Sequence, residues 1–211
     1  FSNDNLHIQL GSSVRSRTVY IVQTLSPPVN EHLMELLMML DIARAASAKE
    51  IHAIIPYFSF ARSDKKDAPR ISITARLVAD LLKTAGATHV MTMMLHSAQV
   101  HGFFSLPTDP LSSRPVMTHY FKRKDLTNTI VVAGDMGQAK SAARFARDLG
   151  LPIAAGDKER VSDTEVRLSG LVGTQVKGFS RAVLYDDEIS TGGTLLELTK
   201  HLLIEQIEEA I

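Results

Sequence analysis

Near the C-terminal end of the 211-residue chain, groups able to do chemistry follow one another in a fixed order: Val183-Leu184-Tyr185, Asp186-Asp187, then Thr191-Gly192-Gly193-Thr194. The apolar run reads as a short buried strand. Two adjacent carboxylates stand at its end, and Leu195 to Lys200 reads as the start of a helix. Glycines at 192 and 193 let the backbone come close to a ligand and adopt positive φ. Free N–H groups at a helix start, backed by the helix dipole, favour an anion. Thr191 and Thr194 add hydroxyl donors. Asp186 and Asp187 would be repelled by that anion on contact, so they suit neutral hydroxyls beside it. The implied ligand is a phosphorylated sugar. The Gly-Lys-Ser/Thr ending of a Walker loop is absent. The plainer alternative is a solvated acidic turn capping an ordinary helix.

Four other stretches carry candidate groups, each after a strand-like run. Pro56-Tyr57-Phe58-Ser59-Phe60-Ala61-Arg62-Ser63-Asp64-Lys65-Lys66 brings together aromatics, an arginine and two lysines. Arg62 suits bidentate binding of a polyphosphate; an exposed basic loop is the alternative. His96 ends the run Thr92-Met93-Met94-Leu95 and suits a phosphate or a metal-bound water, although a histidine at a strand end is more often structural. Asp135, in Asp135-Met136-Gly137-Gln138, is a natural ligand for magnesium or a hydroxyl, and equally a helix N-cap. Lys158 and Arg160 alternate in Asp157-Lys158-Glu159-Arg160. In an extended loop both would point to one side, where two mobile cations could close over a phosphate in flight; solvated loop charge is the alternative.

Around these residues strands alternate with helices. Val19 to Gln23, Ile51 to Ile55, His89 to Leu95, Thr129 to Ala133, Pro152 to Ala155 and Arg181 to Tyr185 read as strands. Glu165 to Leu171 reads as an edge strand or hairpin arm. Asn30 to Ala46, with Asn30 as N-cap, Thr74 to Ala85, closed by Gly86, and Gln138 to Leu149 read as helices. The alternation predicts parallel α/β layers joined by right-handed crossovers. Between Pro107 and Thr129 the pattern weakens, and the charged run Lys122 to Asp125 reads as a solvated linker. The domain division is therefore placed at 1–120 and 121–211.

Apolar residues make up 45% and charged residues 22% of the chain, enough for a real core. Zero net charge leaves no global field to draw the chain to nucleic acid or a membrane, so any anion site must be local. The absence of cysteine excludes disulfide and thiolate chemistry and fits a reducing cytoplasm. No run approaches the ~20 apolar residues that span a bilayer. Beginning at Phe1 and ending within an apparent helix, the sequence is expected to lack both ends.

Taken in order, these segments resemble the ribose-phosphate diphosphokinase (PRPP synthetase) family over nearly the whole chain. Phe1-Ser2-Asn3-Asp4-Asn5 resembles the segment that contacts the adenine of ATP bound by a neighbouring subunit, which implies ATP-binding roles for Phe1, Asn3 and Asn5. Pro56 to Lys65, with Arg70 beyond it, resembles the ATP-phosphate loop and implies that Arg62, Ser63, Asp64 and Arg70 bind ATP. Leu95-His96 with Gln99 and Gly102-Phe103-Phe104 resembles the metal–ATP motif and implies His96 as ATP and metal contact. Asp135 to Lys140 resembles the segment reaching ribose phosphate and a second magnesium. Lys158 and Arg160 match the basic pair of the catalytic flexible loop. Asp186, Asp187, Ser190, Thr191, Gly192, Gly193 and Thr194 match the ribose-5-phosphate loop.

The resemblance implies two phosphoribosyltransferase-type α/β domains, each a mostly parallel sheet flanked by helices, with ATP bound by the first half and ribose 5-phosphate by the second. It also implies Mg²⁺ as cofactor, a homo-oligomer, and transfer of a diphosphoryl group from ATP to ribose 5-phosphate in PRPP biosynthesis. The sequence departs from the family pattern at three positions. Met94 and Ser190 stand where Asp is usual, and Ser63 where Gln is usual. A thioether is a poor ligand for Mg²⁺, so Met94 opens a second reading, a weakly active or non-catalytic homologue that binds nucleotide or regulates a partner. A phosphoribosyltransferase that consumes PRPP is a third.

Overall fold

The computed structural model describes residues 5–160 and 166–211, with residues 158–160 and 166–169 described by their backbone alone. Phe1 and Asn3 therefore lie outside the described residues. The chain divides into two compact units, residues 1–113 and 114–211.

The first unit holds four parallel strands in the order β1-β2-β3-β4: β1 (Thr18–Val22), β2 (Glu50–Ile55), β3 (His89–Met93) and β4 (Thr108–Leu111). Helix α1 (Val29–Ala45) joins β1 to β2, and α2 (Thr74–Ala85) lies between β2 and β3. Strand β2 shows why the layers form. Ile51, Ala53 and Ile55 are buried, while Glu50, His52 and Ile54 alternate with them on the other face. The buried set joins Leu36, Leu40 and Ala43 of α1 and Ala75, Val78 and Leu82 of α2 in one core. The opposite face is partly polar. Tyr20 stacks on His52 with ring centroids 4.7 Å apart, and His52 Nδ1 lies 2.9 Å from His89 Nδ1.

The second unit holds a sheet in the order β7-β6-β5-β8-β9: β5 (Thr129–Ala133), β6 (Ile153–Arg160), β7 (Val166–Gly173), β8 (Arg181–Tyr185) and β9 (Glu209–Ala210). Among the described residues only the β6–β7 pair is antiparallel. Helix α3 (Arg114–Phe121) opens the unit, α4 (Ala139–Leu149) follows β5, and α5 (Gly193–Ile204) follows β8. All five residues of β5 are buried, because both of its faces are covered. Val131 and Ala133 meet Phe121 of α3 and Ala142 and Phe145 of α4. Ile130 and Val132 meet Leu198 and Leu202 of α5. The architecture is the expected α/β one, with mostly parallel sheets flanked by helices. Among the described residues no helix is long and apolar enough to cross a membrane.

Between Pro107 and Thr129, where the sequence pattern weakens, the chain forms β4 and α3. Strand β4 includes Pro110, which an edge strand tolerates because its outer side has no ladder to maintain. Helix α3 buries only Thr118 and Phe121, too few to print a helical period on the sequence. Asn30 does not cap α1, which begins at Val29 after Pro28 and has no side-chain cap bond. Residues 157–160 are not loop. Strand β6 runs on to Arg160, with Lys158 opposite Leu168 and Arg160 opposite Val166 of β7, and with an irregularity between Asp157 and Lys158. A β-hairpin partner satisfies the backbone of this charged stretch, and backbone pairing overrides its loop-like composition.

Phe145 is 1% exposed and its ring lies 5.7 Å from that of Phe121 and 5.3 Å from that of Tyr185, at the end of β8. Phe145→Ala is expected to cost about 3–5 kcal/mol in the stability of this unit, measured by denaturant unfolding. A loss under 1 kcal/mol would show that α4 is not anchored to the sheet through this ring.

Candidate functional site

In the second unit, β5 and β8 are adjacent and parallel, with Ala133 opposite Tyr185. The residues that follow them therefore emerge together at the carboxyl edge of the sheet, where open α/β sheets bind ligands. Gly134 N–H donates to the Tyr185 carbonyl at 2.9 Å, carrying the pairing one step past the strands. A side chain at 134 would put its Cβ 2.7 Å from Asp186 Oδ2 and 3.3 Å from Thr194 Cγ2. Glycine is thus what lets the Asp186 carboxylate and Thr194 close over the end of β5. Asp135 Oδ1 accepts the Gln138 N–H at 3.0 Å and closes the turn into α4, so the turn-capping role is filled. Asp187 N–H donates to Asp186 Oδ1 at 2.9 Å.

Gly192 has φ of 76°, a left-handed conformation that glycine adopts without strain, and it is the N-cap of α5. It offers no side chain to the first turn. The first helical bond runs from Leu196 N–H to the Gly192 carbonyl at 2.9 Å, so the N–H groups of Gly193, Thr194 and Leu195 precede the regular ladder. Ser190 and Thr191 are exposed beside them. The structure thus brings Asp135, Asp186, Asp187 and the 190–194 loop to one edge. Gly134 was missed. Its signal was a glycine between a strand and an acid, and that signal gains meaning only when Asp186 is known to sit against it.

Crowded negative charge marks this edge. The Asp186 carboxyl is pushed up to about 6, first by burial, then by its hydrogen bond and charge relation to Asp187, with Asp135 adding repulsion. Hydroxyl donors or a cation would relieve it.

In the first unit, β2 and β3 are neighbours, with Ile55 opposite Thr92. Beyond β2 a 3₁₀ turn covers Ser59–Arg62, and beyond β3 another covers Ala98–Phe103. Arg62, Lys65, Lys66, Arg70 and His96 are exposed. Asn5 is exposed as well. Two residues expected to contact ATP make hydrogen bonds within the first unit. Ser63 Oγ accepts the Thr74 N–H at 3.2 Å and lies 3.3 Å from the Ser72 carbonyl, organising the entry to α2. Asp64 is 7% exposed and accepts hydrogen bonds from Ser97 Oγ at 2.6 Å and Gln99 Nε2 at 2.7 Å. Burial alone would raise its pKa. The bonds from Ser97, Gln99 and its own backbone, with His96 nearby, outweigh burial and hold it below the ordinary carboxyl range.

Met94 has φ of 45°, unusual for a side chain without a local hydrogen-bonding group. Its N–H donates to the Leu111 carbonyl at 2.9 Å, and the Ser112 hydroxyl lies 3.9 Å from its sulfur. Among the described residues, no three His, Asp or Glu side chains are grouped to hold a metal ion by themselves. His96 and Asp135, the two expected metal contacts, belong to different units. The side chains of Lys158 and Arg160 lie outside the described atoms.

Comparison with known proteins bears on this arrangement. Residues 1–86 match the family model for the N-terminal domain of ribose phosphate pyrophosphokinase. A putative ribose-phosphate pyrophosphokinase of Streptomyces coelicolor is 53% identical over 202 residues, covering 96% of this chain and 63% of the relative. The ribose-phosphate pyrophosphokinase of Deinococcus radiodurans is 53% identical over 199 residues, covering 93% of this chain and 62% of the relative. The crystal structure of phosphoribosylpyrophosphate synthetase from Mycobacterium smegmatis superposes with a TM-score of 0.88 at 37% identity, covering all of this chain and 68% of that one. The chain spans just under two thirds of the length of these curated relatives.

The electrostatics predict a stability signature. Because the folded-state pKa of Asp186 is raised, its contribution is fully present below about pH 4 and is lost as the pH rises through about 6. Asp186→Asn removes that cost while keeping an oxygen for the Asp187 N–H. The variant is expected to melt a few degrees higher than wild type at pH 7 and no higher at pH 4. Equal gains at both pH values would show that Asp186 carries no such strain.

Proposed function

The chain belongs to the ribose-phosphate pyrophosphokinase family, and from that premise we propose that it transfers the diphosphoryl group of MgATP to the anomeric hydroxyl of ribose 5-phosphate, giving PRPP and AMP. One observation carries this reading: Asp135, Asp186 and Asp187 share a sheet edge with the start of α5, whose N-cap is Gly192 in a left-handed conformation. Acids for hydroxyls beside N–H groups for a phosphate are what a phosphorylated sugar requires.

Asp186 and Asp187 accept from the ribose hydroxyls, and residues 190–194 receive the 5-phosphate, with Ser190, Thr191 and Thr194 adding hydroxyl donors to the N–H groups of Gly193 and its neighbours. In-line attack requires the anomeric oxygen to face the β-phosphorus. Arg62, Arg70 and His96 take the polyphosphate in the first unit. A bond forms from the anomeric oxygen to the β-phosphorus as the bond from that phosphorus to the α–β bridging oxygen breaks, and AMP departs with the bridging oxygen. Reactions of this kind depend chiefly on in-line positioning and charge neutralisation, and Lys158 and Arg160 supply cationic charge to the transferring group. Asn5, with Phe1 and Asn3, reaches the adenine bound by a neighbouring copy, which places the active form in a homo-oligomer. The protein works in the cytoplasm, without nucleic acid or membrane.

Mg²⁺, when bound, neutralises polyphosphate charge. The residues of the second unit suit it: carboxylate oxygens are the hard donors that Mg²⁺ takes, and Asp135, Asp186 and Asp187 follow the neighbouring parallel strands β5 and β8 at one sheet edge. Asp135 would hold it there, and His96 would contact it or its water in the first unit. Met94 offers no such donor. That observation favours a second reading, a weakly active or non-catalytic homologue that binds nucleotide or regulates a partner.

Incubation with ribose 5-phosphate, MgATP and inorganic phosphate is expected to yield AMP and PRPP in equal amounts. Lys158→Ala should lower turnover by about 10²-fold or more with little change in Tm. AMP production no greater than in that variant would reject the enzymatic reading in favour of the second.

Met94→Asp adds an oxygen donor and a side chain that tolerates left-handed backbone better. Mg²⁺ titration of activity is expected to show a lower half-saturating concentration in the variant. No change would mean that the ion is held elsewhere.

A further inference from the structure

Asp64 is the one acid of its basic stretch that turns inward. Lys65, Lys66 and Asp67 are exposed, whereas Asp64 is 7% exposed. Its Oδ2 accepts from both Ser97 Oγ at 2.6 Å and Gln99 Nε2 at 2.7 Å. Those donors flank His96 on its C-terminal side, and His96 itself is exposed. Ser97 is the N-cap of the 3₁₀ turn Ala98–Phe103, yet makes no side-chain cap bond there. Its hydroxyl is committed across the loop instead. An apolar layer supports the same junction: Val100 is fully buried, and the rings of Phe58 and Phe104 lie 5.7 Å apart. The two connections that leave neighbouring strands β2 and β3 are thus tied at one point by a charged acceptor.

We infer that Asp64 is a positioning residue, which clamps the Ser97–Gln99 segment to the Arg62 loop so that His96 is presented to the nucleotide phosphates. This rests on the ATP-binding reading of the first unit. A carboxylate facing a polyphosphate would repel it, while the same carboxylate turned inward removes that repulsion and spends its acceptor capacity on the loop. Burial also makes the tie strong, because hydrogen bonds to a charged, desolvated acceptor exceed neutral ones.

The test compares wild type with Asp64→Ala, Asp64→Asn and Ser97→Ala by two measurements on the whole chain. Hydrogen exchange without ligand reads the clamp, and calorimetric titration with ATP, then with ribose 5-phosphate, reads its consequence. Asp64→Ala is expected to speed exchange across residues 94–104 and to raise the Kd for ATP about tenfold, the size of one lost hydrogen bond to a charged group. The Kd for ribose 5-phosphate should stay within twofold. Asp64→Asn, which keeps one carbonyl acceptor, should fall between, and Ser97→Ala should add little once Asp64 is gone. Should Asp64→Ala fail to fold, Asp64→Asn and Ser97→Ala give the same comparison. Weaker ATP binding without faster exchange would make Asp64 a direct ligand and overturn the proposal, as would faster exchange with unchanged ATP binding. If wild type binds ATP but makes no PRPP, the proposed reaction falls while the clamp is still decided by the two Kd values.

Discussion

Repulsion among carboxylates at one edge of a sheet is the constraint on which the second unit turns. Parallel pairing of β5 with β8 makes Asp135 and the Asp186-Asp187 pair emerge together, and the strands have no freedom to separate them. Gly134 makes the crowding tighter by leaving room for Asp186 where any Cβ would intrude. Burial first, and then the neighbouring acids, raise the Asp186 pKa at this edge. A site relaxed in the absence of its ligand would have less to gain from binding it. The helix start beside it supplies the opposite polarity, so hydrogen-bond donors and acceptors lie side by side.

Such crowding is tolerable because the strands below it are held from both faces. Strand β5 is buried throughout, with α3 and α4 on one side and α5 on the other. Phe145 reaches from α4 to Tyr185, the residue immediately before the acidic pair. The same helix α5 that buries Leu198 and Leu202 also presents its N-terminus at the sheet edge. The core and the sheet edge therefore share one element, and its axis cannot shift without disturbing both.

Most of this was legible in the sequence, for identifiable reasons. Ile51, Ala53 and Ile55 alternate because one face of β2 is buried, and Thr129 to Ala133 is continuously apolar because both faces of β5 are. The strand, acidic pair and glycine pair at 183–194 each keep their order along the chain, so their joint role needs no long-range information. What escaped was set by distant partners. Strand β4 contains Pro110, which only an edge position permits. Helix α3 buries too few residues to show its period. Strand β6 continues to Arg160 because β7 supplies its ladder, which the run Asp157-Lys158-Glu159-Arg160 does not announce.

Asp64 and Asp186 show the same limit at the level of single groups. Both are aspartates in polar stretches that follow a strand, and both are drawn from solvent, yet their acidities move in opposite directions. Asp64 meets a hydroxyl and an amide from residues 33 and 35 positions away, and its charge is stabilised. Asp186 meets two other acids, and its charge is opposed. The opposite signs come from these surroundings, a donor-rich junction for Asp64 and a half-buried, acid-lined edge for Asp186, which neither residue type nor local spacing reveals.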